Sequence, residues 1–292
     1  MLISEQMEKI NNFSNNELII IRFIKSLGIE IKSYSARKIA KETYTSPSTV
    51  VRLSKKFNFN SFIEFKNEYL KELEYLQNNK MNINHSIPFT KNNSFYEISS
   101  NLATLTKEVA YDTVKTVNID ELNKSITYLK KAHNIYVFSS GTTINLAKMF
   151  QEQMLKINYN VIIYDNLDLQ LIKSLNTLES DCFILLSYTG ETTRILELAR
   201  NLKRNNAKII AVTSIGNNHL SQYASAVLSL SSHENITHNI ANFSTIVSIN
   251  LILNIIYSCL FSLDYENNDY VKTNLDRHRE IQRQKDVQKN IK

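Results

Sequence analysis

Five short apolar runs alternate with helical stretches between residues 134 and 230, and this alternation constrains the fold more than any other feature. The runs are Ile135–Phe138, Val161–Tyr164, Phe183–Leu186, Ile209–Thr213 and Val227–Leu230. Such an alternation is typical of a parallel sheet covered by helices on both faces. We therefore predict an α/β doubly wound, five-stranded parallel sheet of the flavodoxin type. In its strand order 2-1-3-4-5, ligands bind where the first and third strands end.

The loops that follow the first and third strands are the two richest Ser/Thr/Gly clusters of this region. They read Ser139-Ser-Gly-Thr-Thr143 and Ser187-Tyr-Thr-Gly-Glu-Thr-Thr193, and a helix follows each. A helix N-terminus carries unpaired N–H groups and partial positive charge, so it binds anions. Ser187, Thr189, Thr192 and Thr193 would add hydroxyl donors. The pattern favours an anion site, and the alternative is that the threonines only cap the helices.

A helix-turn-helix pattern precedes the sheet. The helix after the capping box Ser14-Asn-Asn-Glu17 ends at Gly28, and Ser35 caps a second, short helix. A four-residue turn then leads to Ser46 and Pro47, which begin a third helix. Its inward stripe is Val50, Leu53 and Phe57. The residues that we expect to contact DNA from its outward face and N-cap are Ser46, Ser48, Thr49, Arg52, Lys55 and Lys56.

Positive charge is concentrated in this same segment. Residues 32–56 contain seven lysines and arginines and one acid, a local net charge of +6 that equals the formal charge of the whole chain. A charge excess confined to one segment favours a polyanionic partner, most simply double-stranded DNA. Tyr44 occupies the turn position where glycine is usual, so either the turn avoids positive φ or tyrosine tolerates it at some cost.

The polarity of the chain suggests four segments. We expect a helix-turn-helix domain at 1–77, a polar linker with Pro88 at 78–93, a ligand-binding domain at 94–263 and a charged C-terminal tail at 264–292. Ile98, Leu102, Leu105 and Val109 form the apolar stripe of a long helix that could pack on its own domain or on a partner subunit, and we expect it to contribute to a dimer contact. The tail is compatible with either a helix or disorder.

Several classes of protein are disfavoured. The longest apolar candidate, Ile246–Leu263, is interrupted by serines and asparagines, so we expect a buried core helix without membrane insertion. The N-terminus has no signal-peptide pattern, which favours a cytoplasmic protein. Cys182 and Cys259 lie in apolar runs, which favours reduced thiols over a disulfide framework or a zinc site. We expect no cofactor and no metal.

Both halves resemble a known family. Ser46 to Lys66, SPSTVVRLSKKFNFNSFIEFK, resembles the N-terminal domain of RpiR-type transcriptional regulators. The stretches IYVFSSGTTINLA, LLSYTGETTRILELA and AKIIAVTSIGNNHLSQYA are similar to the sugar isomerase (SIS) domain. The resemblance implies a regulator of sugar or amino-sugar metabolism that binds operator DNA and a phosphorylated sugar effector, as a homodimer or homotetramer. The effector-binding residues that it implies are Ser140, Thr142, Thr143, Ser187, Thr189 and Thr192.

The sequence departs from the SIS pattern at two places. Ser139 stands where the first glycine of the G-x-G-x-S pattern is expected, and Thr143 replaces the serine but keeps its hydroxyl. His219 replaces a common proline in a later loop. The departures leave the preferred sugar open.

Two alternatives use the same domains differently. An SIS isomerase would need an acid or base near the bound sugar, and Glu234 and His238 are the candidates. Neither belongs to a recognisable catalytic constellation, so we expect surface or capping roles for both and no catalytic residues. A DNA-binding protein whose SIS domain only dimerises is the third possibility. The basic helix-turn-helix favours the regulator.

Overall fold

The computed structural model describes residues 2–8, 13–78, 81–235 and 238–290. The N-terminal part is helical. Its elements are α1 (Ile3–Glu8), α2 (Asn15–Leu27), a 3-10 helix (Gly28–Ser33), α3 (Ala36–Glu42), α4 (Pro47–Lys56) and α5 (Phe62–Asn78). Ser14, Ser35 and Ser46 cap α2, α3 and α4 as the sequence predicts, each accepting a hydrogen bond from a first-turn amide.

The helices of this region enclose one apolar core. Ile20 and Ile24 of α2 and Val50 and Leu53 of α4 are all at most 1% exposed. Phe57, which ends α4, stacks on Phe65 of α5 with ring centroids 5.5 Å apart. The predicted inward stripe of α4 is therefore confirmed, and α5 is packed directly against the end of α4.

The C-terminal part is a five-stranded parallel sheet between helices. Its strands are β1 (Asn134–Phe138), β2 (Val161–Ile163), β3 (Asp181–Leu186), β4 (Lys208–Ser214) and β5 (Ala226–Leu230). The order β2-β1-β3-β4-β5 is the one predicted, and every neighbouring pair is parallel. The accompanying helices are α6 (Phe95–Thr116), α7 (Ile119–Lys131), α8 (Thr143–Leu155), α9 (Leu167–Leu175), α10 (Thr193–Arg204), α11 (His219–Tyr223), α12 (Phe243–Ser262) and α13 (Tyr265–Asn290).

Each face of the sheet has its own apolar cluster. Val137, Ile184 and Val212 point to the face covered by α8 and α12, whereas Phe138, Phe183 and Ile209 point to the face covered by α10. This alternation is the period of two expected for strands buried on both faces.

The long apolar helix α12 is a core element of this fold. By length and composition it could cross a membrane. However, Ile249, Ile252, Leu253, Ile256 and Leu260 are at most 1% exposed within the sheet's cluster. The expectation of a core helix is confirmed.

The amphipathic helix α6 packs on α12 of the same chain. Leu105 and Val109 are buried, and the Thr113 and Ser248 hydroxyls are 2.8 Å apart across the two helices. The part of the apolar stripe formed by Leu105 and Val109 is therefore covered within the subunit. Ile98 and Leu102 of the same stripe are only partly buried, so our expectation that this helix contributes to a dimer contact stays a prediction.

The segment between the two parts is packed and partly buried, although its sequence is polar. His85 and Ser86 are 2% and 6% exposed. The Pro88 carbonyl accepts a hydrogen bond from the side chain of Asn101 at 2.8 Å. The C-terminal tail, for which the sequence allowed a helix or disorder, is helical as α13 from Tyr265 to Asn290.

Candidate functional sites

A cavity of about 400 Å³ lies at the carboxyl ends of β1 and β3, where the strand order reverses. The residues that line it come from the two Ser/Thr/Gly loops and from the start of α12. They are Ser140, Gly141, Thr142, Thr143, Leu186, Ser187, Tyr188, Thr189, Thr192, Asn239, Asn242 and Thr245. All six residues expected at the effector site are thus brought together around one cavity.

Two helix N-termini open onto this cavity. Thr142 and Thr192 are the N-cap residues of α8 and α10, and within the described part of the chain neither side chain caps its helix. Eight other helices of the described ranges do have a side-chain cap at this position. In α8 the Ile144 and Asn145 amides donate to the carbonyl oxygens of Gly141 and Thr142 at 3.3 and 3.2 Å, so the first turn of α10 is the better anion site. The lack of a threonine cap on either helix argues against threonines that only cap.

The hydroxyl groups of the second loop, residues 187–193, lie close together. Ser187 Oγ and Thr192 Oγ1 are 3.0 Å apart, and Thr189 Oγ1 accepts a hydrogen bond from the Glu191 amide at 2.9 Å. In the first loop, Thr143 Oγ1 donates to the Ser140 carbonyl oxygen at 2.8 Å. The residues that line the cavity are uncharged, so hydroxyl groups and helix dipoles are what it offers to an anion.

Gly190 fixes the path of the second loop. Its φ is +64°, and a Cβ at this position would lie 2.1 Å from Oδ1 of Asn218. Asn218 is held in place because its Oδ1 accepts from the Ser221 amide and its Nδ2 donates to Thr213 Oγ1. Only glycine allows this approach, so the loop and the N-terminus of α11 form one packed unit.

Ser139 lies behind the first loop and is absent from the cavity lining. Its side chain is 1% exposed, and its carbonyl oxygen accepts a hydrogen bond from Gln170 Nε2 at 3.1 Å. Gly141, two residues later, has the positive φ of +64°. The departure from glycine at Ser139 therefore adds no side chain to the cavity wall.

The third wall of the cavity was missed by the sequence analysis. Asn239, Asn242 and Thr245 lie about fifty residues beyond the second loop and match no motif. The nearest signal was Glu234, for which a capping role was expected. Its carboxylate accepts from the Thr245 amide at 2.9 Å and caps α12, and this capping role is confirmed. Burial raises the pKa of Glu234, while the hydrogen bonds from Thr245 oppose that effect.

His238, for which the sequence predicts a surface or capping role, and His219 both lie apart from the cavity lining. His238 is exposed, and Nδ1 of His219 lies 2.6 Å from the Glu191 carboxylate, whose other oxygen accepts from the His219 amide. His219 thus connects α11 to the second loop. Among the described residues no cluster of histidine, cysteine and carboxylate side chains suits a metal ion.

The predicted recognition helix α4 presents most of its expected residues to solvent. Ser46, Ser48, Arg52, Lys55 and Lys56 are exposed. Thr49 is 9% exposed, and its hydroxyl lies 2.9 Å from that of Ser46. The prediction that Thr49 faces outward is wrong, because its position on the helix turns it toward the N-cap.

A buried carboxylate pairs with the cations of α4. Glu17 is 1% exposed, and it accepts a hydrogen bond from Lys56 Nζ at 2.7 Å; Arg52 Nε lies 3.9 Å away. Burial tends to raise the pKa of Glu17, but the bonds from Lys56 and Ser14 outweigh burial and leave it lowered. Arg52 is therefore the freer of the two cations.

Tyr44 takes the positive φ of the turn before α4. Its φ is 52° and its side chain is 97% exposed. Of the two interpretations of this position, the structure supports the second: tyrosine adopts the left-handed conformation that glycine would take at lower cost.

Comparisons with known proteins match both halves of the chain. Residues 1–75 match the helix-turn-helix domain of the rpiR family, and residues 128–258 match the SIS domain. An uncharacterized HTH-type transcriptional regulator of Clostridium perfringens is 26% identical over 259 residues, covering 88% of this chain and 91% of the relative.

Two solved structures share the fold. The Vibrio vulnificus NanR protein complexed with ManNAc-6P has a TM-score of 0.60 at 16% identity and covers 94% of this chain and 96% of its own. The sugar isomerase domain of an RpiR transcription factor from Sphaerobacter thermophilus has a TM-score of 0.53 at 14% identity, covering 61% of this chain and 98% of its own.

Proposed function

Because the chain is an RpiR-type transcriptional regulator, with a helix-turn-helix domain followed by a SIS domain, we propose that a phosphorylated sugar in its cavity modulates operator binding by α4. The observation that carries this proposal is the convergence on one cavity of the six predicted effector residues and of two helix N-termini that no threonine side chain caps. The ligand of the NanR structure, ManNAc-6P, belongs to the same chemical class.

We place the phosphate and the sugar at different ends of the cavity. The phosphate lies between Thr142 and Thr192, next to the first turn of α10 and to the Thr143 amide at the start of α8. The next two amides of α8 already donate to the Gly141 and Thr142 carbonyl oxygens. The sugar extends toward Asn239 and Asn242, whose amides both donate and accept hydrogen bonds. Binding of the phosphate thus needs no lysine or arginine in the wall.

The proposed mode of action is cytoplasmic and involves a homodimer on a two-fold operator. Ser46, Ser48, Arg52 and Lys55 are the proposed DNA contacts, and Lys56 contributes less because it is paired with Glu17. We propose that the chain does not catalyse isomerisation. The support is that Glu234 is 0% exposed and caps α12, which leaves it without access to a sugar carbon.

Thr192→Val tests the phosphate position. The substitution removes a hydroxyl at nearly constant volume, and a hydrogen bond to a charged acceptor contributes about 1–3 kcal/mol. We expect the sugar concentration needed to change operator affinity to rise roughly ten- to a hundredfold. Operator affinity without sugar should stay near wild type. ManNAc-6P, glucose 6-phosphate and glucosamine 6-phosphate are screened by thermal shift, and the best binder is titrated into an operator selected from a random duplex library.

Thr193→Val is the matched control. Thr193 is the next residue, it is exposed and it does not line the cavity, so its sugar response should equal that of wild type. An unchanged response in Thr192→Val would place the phosphate elsewhere. Conversion of any of these sugars by the wild type, followed by NMR, would contradict the non-enzymatic role.

A further inference from the structure

Two residues of the cavity wall donate hydrogen bonds to the same buried residue, Glu234. Tyr188, between Ser187 and Thr189 of the second loop, donates its hydroxyl to the Glu234 carbonyl oxygen at 3.1 Å. Thr245 donates its amide and its hydroxyl to the Glu234 carboxylate, at 2.9 and 2.5 Å. Glu234 is therefore bonded to the cavity wall at two places, to Tyr188 through its backbone and to Thr245 through its side chain.

The residues next to Glu234 contact the DNA-binding half of the chain. The Ser232 amide donates to the Tyr75 hydroxyl of α5 at 3.1 Å. The Asn235 amide donates to the Ser86 hydroxyl at 2.7 Å, and the Ile240 amide donates to the Ser86 carbonyl oxygen at 3.0 Å. One short segment after β5 thus lines the cavity and bonds to α5 and the linker.

The contact between this segment and α5 is buried and closely packed. The Tyr75 hydroxyl also donates to Asp112, which is 2% exposed. The His233 ring lies 4.9 Å from the Tyr75 ring and 5.6 Å from the His85 ring, centroid to centroid. Buried contacts of this kind transmit a displacement, because protein interiors are packed densely and compress little.

Helix α5 continues from this contact to the recognition helix. Tyr75 lies near its C-terminal end, and ten residues earlier Phe65 stacks on Phe57 at the end of α4. The helix is unbroken between them. A change at Tyr75 is therefore carried to α4 by a single rigid element.

We propose that Tyr75 and Ser86 are the positioning residues that couple the effector cavity to the orientation of α4. The proposal rests on the proposed function for its ligand. A sugar phosphate that draws the second loop toward the start of α12 shifts Glu234, and Tyr75 and Ser86 transfer that shift to α5 and the linker. The ligand acts because its affinity differs between the two arrangements.

Tyr75→Phe and Ser86→Ala test the coupling in the full-length protein. ManNAc-6P binding is measured by calorimetry, and affinity for the selected operator is measured with and without this sugar. We expect ManNAc-6P affinity within about twofold of wild type, since neither residue lines the cavity. The effect of the sugar on operator affinity, about tenfold or more in wild type, should fall below about twofold.

Tyr69→Phe is the matched control, because it removes a hydroxyl from the same helix within the core of the DNA-binding half. Its sugar response should match wild type. A full response in both Tyr75→Phe and Ser86→Ala would overturn the coupling while leaving the effector site intact. Absence of ManNAc-6P binding in the wild type would count against the proposed function for this sugar only.

An experiment without ligand tests the coupling even if the wild-type protein does not bind ManNAc-6P. Thr245→Val breaks the hydroxyl bond to Glu234 from inside the cavity, and amide hydrogen exchange is followed in α5 and in residues 81–93. If the two sites are coupled, amide exchange in these segments is faster in Thr245→Val than in wild type. Adding Tyr75→Phe to Thr245→Val then raises the exchange rate by less than adding Tyr75→Phe to the wild-type protein does. No rise in Thr245→Val, or strictly additive effects, would overturn the proposal.

Discussion

At the scale of single residues, Arg52 is the most informative side chain of α4. Its guanidinium is two-thirds exposed and only loosely associated with Glu17. We expect Arg52→Ala to weaken operator binding by about 1–3 kcal/mol without unfolding the domain, since this is the usual contribution of one bidentate base contact. Fluorescence anisotropy with the selected operator measures the change.

Lys130→Ala is the control that distinguishes a specific contact of Arg52 with the operator from a general effect of removing one positive charge. It removes one exposed cation from α7, away from α4, so its operator affinity should stay near wild type. Lys55→Ala should lower affinity similarly for all sequences and flatten the salt dependence. Wild-type operator affinity in Arg52→Ala would refute the assignment of α4 as the recognition helix.

Tyr44 has a measurable conformational cost. A residue other than glycine in the left-handed region costs about 1–2 kcal/mol, and part of the gain from glycine is lost to the entropy of the unfolded chain. Tyr44→Gly should therefore raise the free energy of unfolding by about 0.5–1 kcal/mol in urea denaturation. Asn58→Gly, at a φ of 64°, should gain less because asparagine tolerates this region better. A loss of stability in Tyr44→Gly would show that the exposed ring makes a compensating contact.

Residue-level predictions were accurate for caps and core positions. Ser14, Ser46 and Leu53 follow from local rules that involve only a few neighbours in sequence. Thr49 and Lys56 were harder, because their surroundings depend on the N-cap geometry and on Glu17, which lies 39 residues from Lys56. No local pattern identifies the partner of a surface cation.

At the scale of elements, the second loop depends on Gly190, which the sequence places in a Ser/Thr/Gly cluster after a predicted strand. Gly190→Ala should abolish sugar-phosphate binding and destabilise the fold by more than about 1 kcal/mol, since the new Cβ meets Asn218 and the φ is unfavourable. Thermal unfolding and calorimetry with ManNAc-6P measure the two effects.

Gly141→Ala is the control for backbone strain alone. Gly141 has the same φ of +64°, but a Cβ there would meet nothing within 4 Å. The difference between the two variants therefore measures the collision with Asn218. Equal losses of stability would mean that the second loop moves freely away from α11.

The strands and their order were predictable, whereas one wall of the cavity was not. Apolar runs such as Phe183–Leu186 are long enough to identify buried strands, and the switch point then follows from topology. Asn239, Asn242 and Thr245 reach the cavity only because α12 crosses the sheet beside β5. Their approach is a tertiary contact without a signature in spacing or composition.

At the scale of the whole molecule, we expect a dimer in solution. One helix-turn-helix buries too little DNA to specify a unique site, and two-fold operators are read by paired recognition helices. Leu105 and Val109 of α6 are buried within the subunit, whereas Ile98 and Leu102 are partly exposed, so we expect the start of this helix and the SIS domain to supply the contact. Sedimentation velocity at micromolar concentration should show the dimer, and a protein that remains monomeric would contradict this expectation.

The relation between the two halves could not be read from the sequence. Residues 81–93 are polar and contain a proline, which is the composition of a spacer. In the fold, His85 and Ser86 are buried against the segment that follows β5. The composition of a segment indicates how readily water solvates it. Composition does not show whether another part of the chain buries that segment in the fold.

In the proposed coupling, the unbroken helix from Phe65 to Tyr75 would act as a lever arm. Ten residues at 1.5 Å each make it about 15 Å long, so a tilt of about 10° at Tyr75 displaces Phe65 by roughly 2.6 Å. Base pairs are spaced about 3.4 Å apart, and the two recognition helices of a dimer must stay one helical turn apart. A tilt of this size in each subunit changes their separation by more than one base pair if the two displacements are opposed. The operator would then be released by loss of register, with both domains still folded.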